Sequence, residues 1–178
     1  YALALSDLIL APATPSSAAR AGGIIFPIAR SLASALDSEP GPTGRKAGAY
    51  FLQVIYQTEA VVCVMFLTAM AGNPMIVELA AKTIGVEITW GTWALAACVP
   101  GIIAFITIPW LMYIVYPPEL KKIPQAKIIA DTELKKMGAI SFHEKVLAAV
   151  FFVALILWCT SGWNGLNATT VAMVAVSC

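Results

Sequence analysis

The heptapeptide Thr14-Pro15-Ser16-Ser17-Ala18-Ala19-Arg20 interrupts two apolar stretches, Tyr1 to Ala13 and Ala21 to Leu36. Each stretch has about 13 to 16 residues and would measure roughly 20 to 24 Å as a helix. A hydrocarbon core of about 30 Å needs roughly 20 residues for a full crossing. Two arms this short, joined by a polar tip, fit a re-entrant hairpin over residues 1–36 better than two spans. Non-helical backbone survives at membrane depth only where protein buries it or a wet cavity solvates it. The tip is therefore a candidate binding site, with an ionisable group, Arg20, beside it.

Composition agrees with a membrane setting. Hydrophobic residues make up 60% of the chain and charged residues 12%, against about 25% charged in soluble domains. Mean hydropathy is +0.82. The net charge of +1 says nothing about nucleic acid, and aromatic and basic residues do not interleave in any patch, so a nucleic-acid partner has no support. Cys63, Cys98, Cys159 and Cys178 lie in apolar stretches without CxxC spacing, and read as buried thiols. His143 is the only histidine, which argues against a histidine-based metal centre. No catalytic His/Cys/carboxylate cluster is present, so an enzyme is not expected. The chain lacks an initiator Met and starts and ends in apolar sequence, as a fragment of a longer polytopic protein would.

Residues 1–178 read as one all-α membrane domain in six parts. The hairpin 1–36 is followed by a turn-rich polar connection, 37–47. Residues 48–82 form a lead-in and a broken helix. Gln53 and Gln57 share one face of the lead-in, and Gly72-Asn73-Pro74 marks the break, because Pro74 has no N–H and Gly72 frees the backbone. With the break near the midplane, Glu59 is placed at the interface, and Glu78 inside the bilayer within reach of Lys82. A span at 92–116 follows, with Trp90 and Trp93 suited to an interfacial belt. Residues 119–145 form a basic surface arm. A second span, 146–161, ends at Trp158 and Trp163, and a further apolar segment covers 167–178. Arg45 and Lys46 lie in one connection, and Lys121, Lys122, Lys127, Lys135, Lys136 and Lys145 in another. Two spans separate these connections, so they share a side, cytoplasmic or stromal. Asn167-Ala168-Thr169 matches a glycosylation sequon, but it abuts a membrane segment.

The stretch Ala11-Pro-Ala-Thr-Pro-Ser-Ser-Ala-Ala-Arg-Ala-Gly-Gly-Ile-Ile-Phe-Pro-Ile28 resembles the first hairpin of the divalent anion:sodium symporter family. The resemblance is to its citrate/succinate and 2-oxoglutarate/malate translocator branch. Phe66-Leu-Thr-Ala-Met-Ala-Gly-Asn-Pro-Met75 is similar to the unwound helix of that family. Pro117-Pro-Glu119 and Lys135-Lys-Met-Gly138 also fit the branch. The resemblance implies a secondary transporter of di- or tricarboxylates such as malate, succinate, 2-oxoglutarate or citrate. It implies an elevator-type mechanism with inverted repeats, a homodimer at full length, and a bacterial inner membrane or plastid inner envelope. It implies no cofactor beyond sodium as a coupling ion. The family's tip reads Ser-Asn-Thr; here Ser16 matches the Ser, while Ser17 and Ala18 replace the Asn and Thr. Ser17 can offer one oxygen or one O–H, but not both as an amide can. The carried-over substrate-binding set is Ser16, Ser17, Arg20 and Asn73. The cation-binding set is Ser16, Ser17, Gly72 and Asn73, with no other metal site.

Plainer readings stand beside these. Ser16 and Ser17 also suit a tight turn, and Asn73 suits a cap on the second half-helix. Arg20 is either a fork for a carboxylate or a partner that rigidifies the hairpin. Sodium-independent exchange, an arsenite or proton antiporter, and a non-transporting subunit or degenerate copy are the alternatives.

Overall fold

A computed structural model describes residues 1–121, 131, 134–135 and 138–177. Every regular element among them is helical. The first arm of the hairpin is α1 (Ala2–Leu10), continued by a 3-10 turn over Ala11–Ala13, where Pro12 supplies the fixed φ. The chain reverses over 14–16. The second arm runs without interruption through α2 (Ser17–Arg20), a π-helical turn (Ala21–Ile25) and α3 (Phe26–Ser34). Pro27 has no N–H to give the carbonyl four residues back, and its ring crowds that carbonyl. A wide turn just before it, at Gly22 and Gly23, relieves both problems.

The connection after α3 is closed around Ser38, which is buried. Its Oγ accepts the amides of Ala47 and Gly48 at 3.1 and 2.9 Å. Those amides begin α4 (Gly48–Met65), so Ser38 satisfies donors that a helix start leaves open. Residues 48–65 form one helix, long and apolar enough to cross a membrane, as do α6 (Trp90–Val115) and α7 (Phe142–Cys159). The amphipathic lead-in and the apolar run after it are thus a single rod. Between α4 and α6 lies α5 (Gly72–Ile84), closed by Gly85 at φ 67°, a left-handed conformation that glycine adopts without penalty. A short turn, α8 (Ser161–Asn164), and α9 (Ala168–Val176) complete the described chain. The basic arm expected at 119–145 falls mostly outside the described residues.

The amides of Glu119 and Leu120 bond the carbonyls of Arg45 and Lys46 at 3.1 and 3.0 Å. The guanidinium of Arg45 sits 4.5 Å above the Tyr116 ring. Residues 119–120, at the start of the second basic connection, therefore lie against Arg45 and Lys46 of the first.

The helix α6 is apolar all round: Leu95, Val99, Ile103 and Ile106 are exposed, as suits contact with lipid or further protein. Exposure also decides the cysteines. Cys98 and Cys159 are exposed free thiols and Cys63 is half-buried, so the expectation of burial fails for these three.

The helices α4 and α6 approach closely at Gly101. A Cβ there would lie 2.7 Å from Met65 Cγ and 2.9 Å from Sδ. Met65 is itself buried, so it has little room to yield. Gly101→Ala is expected to destabilise the full-length protein by about 1–3 kcal/mol, read as a lower thermal midpoint in detergent. Adding Met65→Ala should recover part of the loss. A midpoint unchanged in the single variant would show that the helices separate freely.

Candidate functional site

The break in the membrane helix lies within Phe66–Met75, the stretch similar to the family's unwound helix, but upstream of the helix-breaking residues Gly72-Asn73-Pro74. It begins where α4 ends, at Phe66, and continues through a 3-10 turn (Leu67–Ala69) to Met70, with Phe66 and Met70 extended. Gly72-Asn73-Pro74 is instead the first turn of α5. A proline costs nothing there, because first-turn amides have no intrahelical acceptor anyway.

The carbonyls freed by the break find side-chain donors. The Asn73 amide nitrogen donates to Cys63 O at 2.8 Å and to Phe66 O at 2.9 Å. Asn73 therefore closes the end of the first half-helix as it opens the second, and only 1% of it is exposed. Trp93 Nε1 donates to Val64 O at 2.9 Å. Trp90 Nε1 donates to Thr68 Oγ1 at 3.2 Å, and Thr68 Oγ1 donates to Pro12 O at 2.7 Å. Trp90 is buried and its ring stacks on Phe66 and Trp158. It is thus a core residue against the break and not part of an interfacial belt. Trp158 is likewise buried, whereas Trp163 is 93% exposed.

The hairpin tip reaches this same place. Its Ala11–Ala13 turn packs on the Leu67–Ala69 turn, and Ala11, Val62 and Ala69 form a buried apolar contact between them. Ser16 caps the second arm, its Oγ accepting the Ala19 amide at 3.2 Å. Ser17 is the first helical residue. Ser16, Ala18 and Ala19 are exposed, and the first-turn amides of Ser17 and Ala18 have no acceptor within the helix.

Arg20 lies one turn further in and is completely buried. Its Nε donates to Asp7 Oδ1 at 2.7 Å and a terminal nitrogen to Glu59 Oε1 at 2.8 Å. The other terminal nitrogen donates to Thr14 O at 3.0 Å and to Ala69 O at 3.3 Å. One guanidinium thus joins the first arm, the tip, α4 and the break. Its donors point into the protein, which matches the rigidifying reading of Arg20 and leaves it no open fork for a ligand. Glu59 meets Arg20 from α4. It lies about seven residues, roughly 10 Å, before the break, beside the tip. Asp7 and Glu59 are the members of the site that the sequence left without a role. Their signal was there: two acids in apolar helices beside one buried-sequence arginine.

Glu78 and Lys82 pair as their spacing suggests, at 2.6 Å, with both side chains largely exposed. Asn167 caps α9, its Oδ1 accepting the Thr169 amide at 2.8 Å. Tip and break also border one cavity of about 800 Å³, lined by Pro12, Ala13, Pro15, Thr68, Met70 and Ala71 among others; Ser16, Ser17, Arg20, Gly72 and Asn73 do not line it. Among the described residues no group of three or more His, Cys, Asp or Glu could hold a metal ion.

The chain is 47% identical over 178 residues to the "Putative malate transporter YflS" of Bacillus subtilis (strain 168), covering 99% of this chain and 37% of that protein. It is 43% identical over 178 residues to dicarboxylate transporter 1, chloroplastic, of Spinacia oleracea, covering 99% and 31%. It is 36% identical over 178 residues to the citrate/succinate antiporter of Escherichia coli (strain K12), covering 99% and 36%. The chain therefore spans about a third of the length of these relatives. The sequence also matches, over residues 1–178, the family described as the sodium:sulfate symporter transmembrane region. The hairpin, the broken helix and the match along the whole chain lead to one assignment: this is an all-α membrane protein chain that belongs to the sodium:sulfate symporter family of transporters.

Proposed function

We propose that this chain forms part of the anion site of a secondary transporter for C4–C6 di- or tricarboxylates. The observation that carries this reading is the junction of tip and break. Two helix starts, at Ser17 and at Gly72, flank one contact in which Thr68 bonds Pro12 and Arg20 bonds Ala69. Helix N-termini carry partial positive charge and open amides, and both favour anions. The names of the relatives, with malate, dicarboxylate and citrate/succinate, supply the carboxylate class.

In this reading Ser16, Ser17 and the first amides of α2 meet a substrate carboxylate. Ser16 and Ser17 also face the coupling cation, together with the backbone at Gly72 and Asn73. Asn73 holds the break in shape, and Arg20 acts through the tip that it fixes. The tied hairpin and broken helix then move as one body in an elevator-type cycle against the remainder of a dimeric transporter, with the hairpin re-entrant in the membrane.

The test is uptake of labelled malate and 2-oxoglutarate into liposomes carrying the full-length protein. Runs would compare sodium with choline outside, and empty vesicles with vesicles preloaded with dicarboxylate. Uptake that requires sodium is expected to change its sodium dependence in Ser17→Asn. Uptake that requires only internal dicarboxylate identifies an exchanger. No uptake of any dicarboxylate by well-folded protein would overturn the assignment.

A further inference from the structure

Asp7 and Glu59 each use one carboxylate oxygen on Arg20. Their other oxygens, Asp7 Oδ2 and Glu59 Oε2, are buried and have no hydrogen-bond partner among the described residues. The two carboxyl groups accept from neighbouring nitrogens of one guanidinium, Nε and Nη2, at 2.7 and 2.8 Å, which holds them side by side. With both ionised, the trio holds one excess negative charge, at side-chain exposures of 0% for Arg20, 2% for Asp7 and 13% for Glu59. One guanidinium offsets one carboxylate. A second charge in such a place is costly, and so are two buried acceptors with no donor.

We propose that Asp7 and Glu59 share one bound proton, held between Oδ2 and Oε2. The proton turns one acceptor into a donor, so both open oxygens are satisfied by a single O–H···O bond. It also makes the trio neutral. A metal cation fits worse: the guanidinium repels it, and the nearby carbonyls of Thr14 and Ala69 already accept from Arg20.

The surroundings offer no competing charge. On α4 itself Cys63 lies one helical turn beyond Glu59, its thiol donating to Ala60 O at 3.3 Å. The helix α6 and the break at 66–71 contain no Asp, Glu, Lys, Arg or His. Arg30 borders a separate cavity with Arg45 and Tyr116 at the basic end. Arg45 and Lys46 precede Glu59 by 13 or more residues, roughly 20 Å of helix. Loss of the proton would set two like charges against each other across Arg20. The guanidinium could then no longer hold both arms equally, and the tip would loosen from the break. Proton occupancy is in this way linked to the shape of the anion site.

The experiment is infrared difference spectroscopy on the full-length protein in membranes, from about pH 5 to about pH 9, the span in which buried carboxyls titrate. The expected result is the C=O stretch of a protonated carboxylic acid at neutral pH that fades as pH rises. Glu59→Gln and Asp7→Asn should each abolish it. Glu59→Gln keeps an oxygen for Arg20 and offers an N–H to Asp7, so it should fold as a mimic of the protonated state and decides the matter alone if Asp7→Asn does not fold. It should also flatten the pH dependence of uptake. No such band in the unmodified protein, or a band unchanged in Glu59→Gln, would overturn the proposal. The infrared result does not depend on which anion is carried, so it can fail while the transport reading stands, and the reverse.

Discussion

Arg20→Ala is expected to destabilise the full-length protein by about 3–5 kcal/mol, the usual cost of removing one partner from a buried ion pair. The substitution leaves the Asp7 and Glu59 carboxyls without the guanidinium that both now use. It also strips the donor from the carbonyls of Thr14 and Ala69. No rearrangement nearby replaces it, because α6 and the break carry no other cation. Arg20→Lys should recover only part of the loss. An ammonium keeps the charge but lacks the planar fork that reaches four acceptors on separate segments. Thermal unfolding in detergent reads the first effect, and dicarboxylate uptake the second. If Arg20→Ala melted like the unmodified protein while its KM for dicarboxylate rose, Arg20 would be a ligand for substrate and not the clamp that the geometry describes.

The parts of the fold that composition and helical period control were legible. The two arms, their polar tip and the long apolar helices follow from runs of residue types. The position of the break did not. Gly72-Asn73-Pro74 holds the residues that disfavour a helix, yet proline and a small polar residue also suit a helix start. The chain uses them there and unwinds instead at Phe66 to Ala71, where no residue is a strong breaker. What opens the helix at Phe66 is tertiary: Asn73, Trp93, Thr68 and Arg20 take up or brace the freed backbone. Trp90 misleads for the same reason. A tryptophan near a span end suits an interface, but here its indole N–H has a partner in Thr68 and its faces have Phe66 and Trp158.

The candidate site was half legible. Ser16, Ser17 and Arg20 stood out because polar residues between apolar arms need a reason. Asp7 and Glu59 stood out only as acids in apolar helices, without a pairing, since their partner is 13 and 39 positions away in sequence. Only the folded chain brings them to one guanidinium. That contact matters for mechanism. A tip joined to the break by a buried arginine, a hydroxyl–carbonyl bond and an apolar seam resists separation. In the proposed transport reading the two move as one unit, as alternating access by rigid-body movement asks.

Asn73→Asp is expected to be the most damaging change of its size among the residues that hold the break. The carboxamide nitrogen serves two carbonyls at 2.8 and 2.9 Å from a side chain that is 1% exposed. An ionised carboxylate has no donor to give. It would set negative charge against the carbonyls of Cys63 and Phe66, which would also lose their partner. Asn73→Ala removes the donor without adding charge. Each buried carbonyl left open costs about 1–3 kcal/mol, so the alanine variant should lose roughly 2–6 kcal/mol and the aspartate variant more. Both should lower the thermal midpoint of the full-length protein, in that order, and uptake should fall with them because the second helix start at Gly72 is no longer fixed against the first half. An aspartate variant as stable as the unmodified protein would mean that the site holds a proton or cation on residue 73, and the break would then be a ligand-bearing element and not only the frame of one.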